Sequence, residues 1–118
     1  MPTRADRMMI ELCRAGACQC GGCQVAIRVR KVATLIEAER VRQDAKWGEQ
    51  NHTDEWWSAI LHEETGELAQ AILHDRFGGK AAGTTKAELV QVAAVAFSWL
   101  EAIERREAAM KSEKRGAG

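Results

Sequence analysis

From residue 53 to residue 75 the apolar residues return at helical spacing, and a glutamate stands in the middle of them. On a wheel of about 100° per residue, Trp57, Ile60, Leu61, Leu68 and Ala71 fall within roughly 60° of Glu64. The same construction over residues 85–110 puts Val92, Val95, Trp99, Ala102 and Ile103 around Glu88. Two long amphipathic helices, each with an acid on its apolar side, constrain the fold more than any other feature. They must bury these faces against each other while keeping the carboxylates satisfied.

Matching pairs three residues apart lie on the two faces: Glu64 with Glu67, and Glu88 with Gln91. Side chains at this spacing share one helical face and reach a common point. Ionised carboxylates facing one another in a core repel, lose hydration and tend to take up protons. A hard divalent cation removes that cost: Mg²⁺ prefers oxygen ligands, keeps several waters and is usually completed by phosphates. Facing helices of a bundle are an established way to build such a site. Other readings stand beside it. Glu88 fits a capping box begun by Thr85, Glu67 fits an ion pair with an arginine of another helix, and Glu63 fits an exposed helix charge.

A further helix is expected over residues 24–46, with Val32, Leu35 and Ile36 as its apolar stripe and Gly48 as its stop. Glu39, Gln43 and Lys46 continue that stripe, so it turns polar near "KWGEQNH". Either Gln43 and Lys46 are solvated near a helix end and Trp47 is core, or the segment borders a ligand cavity in which Lys46 meets a phosphate and Trp47 or His52 lines a base pocket. Thr53 is the expected N-cap of the next helix, with Asp54 and Glu55 in its first turn.

The only proline is Pro2, and no segment shows strand alternation. The expected class is all-α: a bundle of three main helices per chain, its four-helix-type core completed by oligomerisation. The expected organisation is a Cys/Gly-rich N-terminal extension over residues 1–23, a helical domain over 24–110 and a flexible tail over 111–118. "FGGKAAGTT" reads as a flexible connector; it matches no phosphate-loop pattern, although Lys80 could meet phosphates.

Seventeen basic and seventeen acidic residues cancel, which argues against a nucleic-acid polymer as partner. No apolar run reaches the length of a membrane span, and the N-terminus lacks the apolar core of a secretory signal, so a cytoplasmic protein is expected. Stable disulfides are rare in that compartment. "CRAGACQCGGC" therefore reads either as thiols in a loose extension or as a Zn²⁺ site built from Cys13, Cys18, Cys20 and Cys23, the last two at the usual two-residue ligand spacing.

"ERVRQDAKWGEQNH", "ILHEETGELAQAIL" and "AELVQVAAVAFSWLEAI" resemble the MazG-like nucleoside triphosphate pyrophosphohydrolases, especially the small phage-type members. The resemblance covers roughly residues 32–106. The family's E-x-x-E, spacer, E-x-x-D pattern is met by Glu64, Glu67 and Glu88; Gln91 stands where the family usually has Asp. The resemblance implies an all-α fold in a homodimer or larger homo-oligomer. It also implies Mg²⁺-dependent cleavage (Mn²⁺ serving in its place) between the α and β phosphates of a (d)NTP, giving a monophosphate and pyrophosphate. It makes Glu64, Glu67 and Glu88 the metal ligands, with Gln91 assisting through its carbonyl oxygen. Glu63 and Glu64 become the candidates for acting on water, and Lys46, Trp47 and His52 the substrate contacts. The neutral Gln91 also admits a weakened or inactive enzyme, or a nucleotide-binding module of the same fold.

Overall fold

The computed structural model describes residues 1–16 and 20–117 of the chain. They form four helices and, among the described residues, no strand: α1 (Arg4–Arg14), α2 (Gly21–Trp47), α3 (Asp54–Phe77) and α4 (Thr85–Gly116). The all-α expectation holds, with one helix more than the three main ones. The chain divides into two compact units, Met1–Leu35 and Ile36–Gly118.

In the first unit, residues 4–14 are helical where a loose extension was expected. Thr3 begins this helix with a complete capping box: its hydroxyl accepts from the Asp6 backbone N–H, and Asp6 accepts from the Thr3 backbone N–H. Asp is less usual than Glu at the third helical position, so the signal is easily missed. No residue of α1 is buried.

The second unit is organised by α3 and α4. Contacts at their ends set their direction. Asp75, near the end of α3, accepts from Gly83 N–H and Thr85 Oγ1 at the start of α4. Asp54, at the start of α3, accepts from Trp99 Nε1 at 3.0 Å and pairs with Arg106, farther along α4, at 3.2 Å. The two helices are therefore an antiparallel hairpin. Its core is Trp57, Val95 and Ala102, with Ile60, Leu61 and Trp99 packed against them. Ala71 and Ala94 are also fully buried. These are the apolar faces that the wheel placed around Glu64 and Glu88.

The α2 segment from Ile36 onward belongs to the same unit. Arg40 donates from Nε to Glu101 of α4 at 2.8 Å, and its other nitrogens reach Gln43 and Asp44. Gly48, at φ 70°, ends α2 with its N–H on the Asp44 carbonyl, as expected. Thr53 caps α3 by accepting from Trp56 N–H at 3.3 Å. The intervening loop is held by Arg105, which binds Glu49, the Asn51 side chain and the Gln50 carbonyl.

Three local expectations are corrected. Thr85 is the first residue of α4 rather than its cap; Thr84 occupies the cap position without a side-chain bond. The Thr85 hydroxyl goes to Asp75 instead, because the short connector brings the end of α3 within reach. The tail from residue 111 continues α4 to Gly116, since nothing in "KSEKR" breaks a helix. The connector is likewise tied down. Ala81 N–H donates to His74 Nδ1 at 3.0 Å, and Gly79 passes so close to the imidazole that a Cβ would collide with it.

The Asp54 carboxyl is held below its ordinary value of 3.8 by the Trp99 indole N–H and then by Arg106. A lowered folded-state pKa contributes stability above the unfolded value, and that contribution is lost as pH falls through the folded one. Asp54→Asn should therefore be less stable than wild type at neutral pH. Chemical denaturation should show the gap closing as pH drops well below 3.8.

Candidate functional site

Glu64, Glu67 and Glu88 offer carboxylate oxygens that all lie within 4.8 Å of one another. The first two stand one turn apart on α3, and the antiparallel partner α4 brings Glu88 opposite them. Glu64 and Glu88 are half-buried and Glu67 is exposed. In an octahedral Mg²⁺ site with bonds near 2.1 Å, ligand oxygens stand about 3 Å (adjacent) to 4.2 Å (opposite) apart. Small side-chain rotations bring the three into that range, so the residues present fit the ion. The remaining positions suit water and phosphate oxygens.

The electrostatics of Glu64 carry the same message. Burial, then the negative charges of Glu67, Glu88, Glu63 and Glu39, push its carboxyl above the ordinary 4.5. Glu39 behaves oppositely: Arg42 grips it with bonds of 2.6 and 2.9 Å, and together with Gln91 and Gln43 holds it below 4.5 against partial burial. The polarity of the α2 stripe had marked Glu39, yet its place beside the acidic group shows only in three dimensions.

Beside the carboxylates lies a cavity of ≈ 350 Å³. Gln43, Trp47, Gln50 and His52 line it from the end of α2 and the following loop; Trp56, Trp57, Ile60 and Glu64 line it from α3; Gln91, Val95 and Ser98 line it from α4. Its size lies within the range of small-molecule pockets, about 300–1,000 Å³, and its walls combine aromatic rings with a few polar groups. A cavity thus lies at the "KWGEQNH" end. His52 stands edge-on to Trp57 at 4.9 Å between ring centres. Trp57 is 1% exposed, and its indole N–H has no hydrogen-bond partner, alone among the described buried side-chain polar atoms.

The candidate residues separate into groups. Glu64, Glu67 and Glu88 converge, and Glu64 also lines the cavity. Trp47 and His52 line the cavity, whereas Lys46 lies at the surface with its ammonium 4.5 Å from the centre of the Trp47 ring. Glu63 is exposed and stands outside the three-carboxylate group. Lys80 is exposed on the connector. Gln91 lines the cavity but is engaged elsewhere: its carbonyl oxygen accepts from Gln43 Nε2 at 3.2 Å, and it bonds Glu39. Gln43, 8% exposed, also donates to Glu39 and accepts from Arg40. It is a satisfied buried amide rather than a solvated residue at a helix end. Sequence reasoning passed over Trp56 as a wall residue, since its apolar neighbour Trp57 claims the core face.

Cys13, Cys20 and Cys23 also converge, with thiol sulfurs within 4.8 Å of one another. Cys18 lies outside the described residues. Among the described residues, no helix is long and apolar enough to cross a membrane. No protein-family model, curated protein or solved structure matches the chain.

A raised folded-state pKa means that the metal-free fold loses stability as pH rises through it, because ionised Glu64 is disfavoured there. Without metal, Glu64→Gln should melt at a higher temperature than wild type at neutral pH. The difference should vanish as pH falls below 4.5, where Glu64 is protonated in both states.

Proposed function

We propose that the protein is a Mg²⁺-dependent nucleoside triphosphate pyrophosphohydrolase of the MazG-like type, cleaving (d)NTPs to a monophosphate and pyrophosphate. The observation that carries this reading is the double membership of Glu64, which belongs both to the carboxylate group and to the wall of the aromatic cavity. One ligand can therefore present a polyanion to the acids, through a cation, while its apolar ring occupies the cavity.

Glu64, Glu67 and Glu88 would hold the metal. Mg²⁺, or Mn²⁺ in its place, would neutralise the triphosphate charge and make water more acidic there. Glu64 then orients the attacking water toward the α phosphorus and takes its proton, with neighbouring Glu63 as the alternative base. The water oxygen bonds to the α phosphorus as the bond to the bridging oxygen breaks, and pyrophosphate leaves. Trp47, Trp56 and His52 would wall the base.

A second reading, a nucleotide-binding module or weakened enzyme, is favoured by Gln91. Its amide is committed to Gln43 and Glu39 and adds no charge to the acidic group. The two readings separate in an assay of pyrophosphate release over a panel of NTPs and dNTPs with Mg²⁺. Release is expected, and Glu64→Ala should lower it at least ~100-fold, the smaller end of what a positioned acid–base group contributes. Mg²⁺-dependent nucleotide binding without release would select the binding module. Full activity in Glu64→Ala would reject the site. Faster turnover in Gln91→Asp would identify the native site as attenuated.

The same reading carries a homo-oligomer. Leu89, Phe97 and Leu100 form an exposed apolar stripe on α4, at the spacing of one helical face. Light scattering should find a dimer or larger species for the wild type and a smaller one for Phe97→Asp.

A further inference from the structure

We propose that Cys13, Cys20 and Cys23 form a thiolate site for Zn²⁺ that fastens α1 to the start of α2. The three sulfurs come from different local structures: Cys13 from the end of α1, Cys20 from the residue before α2, and Cys23 from the first turn of α2. They nevertheless lie within 4.8 Å of one another. Zinc–sulfur bonds of about 2.3 Å in a tetrahedron set the sulfurs about 3.8 Å apart, so modest side-chain rotation completes the site. Cys20 and Cys23 carry the two-residue spacing usual for a zinc ligand pair. Water or a further donor takes the fourth position.

Two further observations support a metal here. Cys20 Sγ accepts the Cys23 backbone N–H at 3.4 Å, so this sulfur stands where a helix N-cap acceptor would. That bond holds the Cys20 side chain against the first turn of α2, where Cys23 lies. Cys23 is 2% exposed although α1 buries no residue at all. Among the described residues, this unit closes around a thiol rather than around an apolar core. A disulfide would use two of the three converging sulfurs, whereas a soft cation uses all of them. Softness also keeps the site separate from the carboxylates of α3 and α4, which suit a hard ion.

The test uses the full chain, expressed with zinc and purified under reductant without chelator. Elemental analysis should find stoichiometric zinc. Exchange with Co²⁺ should give a thiolate-to-cobalt charge-transfer band and the visible absorption of a tetrahedral site. Changes beyond the ligands already cost about 10–100-fold in metal affinity, so Cys13→Ser and Cys20→Ser should each weaken zinc binding by more than ~100-fold. Both residues are less buried than Cys23, and circular dichroism should show the rest of the helical fold intact. Glu64→Gln should keep its zinc. Absence of zinc and of the cobalt band in the reduced wild type would overturn the proposal. So would wild-type zinc affinity in Cys13→Ser/Cys20→Ser/Cys23→Ser, or a Cys20–Cys23 disulfide in the native protein.

Discussion

Antiparallel packing of α3 on α4 decides where Glu64, Glu67 and Glu88 fall. Trp57 is the wedge of that contact: one large ring, almost wholly buried against Val95 and Ala102. Burying a side chain of this size contributes on the order of 3 kcal/mol and fixes the register of the two helices. Glu64 lies two turns beyond Trp57 on the same face of α3, so the register that seats the indole also delivers Glu64 toward Glu88. The energy of the apolar contact thus offsets the cost of bringing like charges together.

The polar side of the unit is organised around a second buried group, Gln43. It donates to Glu39 and Gln91 and accepts from Arg40, which in turn binds Glu101 of α4. A buried amide with its partners in place costs little, and the chain of bonds holds the end of α2 beside the cavity. Glu39 is stabilised as an anion by Arg42 while Glu64 is pushed toward its neutral form. Their neighbours thus shift two nearby glutamates in opposite directions, and of the two it is Glu64 that lines the cavity.

Much of this was readable in the sequence because helical periodicity is a strong, local signal. The wheel placed Trp57, Val95 and Ala102 in the core and set Glu64, Glu67 and Glu88 on converging faces. Gly48 and Thr53 gave correct helix ends, since a left-handed stop and an N-cap hydroxyl need only adjacent residues. What the sequence hid were bonds between distant elements. Thr85 was legible as a cap, but Asp75 of the preceding helix takes its hydroxyl. Gln91 was legible as a neutral replacement, but its partners Gln43 and Glu39 sit on α2, more than forty residues away. The α1 helix was obscured by the cysteines and glycines that follow it, although Thr3 and Asp6 held the signal.

The distribution of aromatic rings has an optical consequence. The chain has no tyrosine and four tryptophans. Trp47, Trp56 and Trp57 line the cavity, while Trp99 is bonded to Asp54. Intrinsic fluorescence thus arises from indoles alone, and most of them face a single compartment. Trp47 and Trp56 are exposed and emit from a watery environment, whereas Trp57 emits from a dry one. A molecule that enters the cavity changes the surroundings of the first two, so the protein carries its own reporter of occupancy.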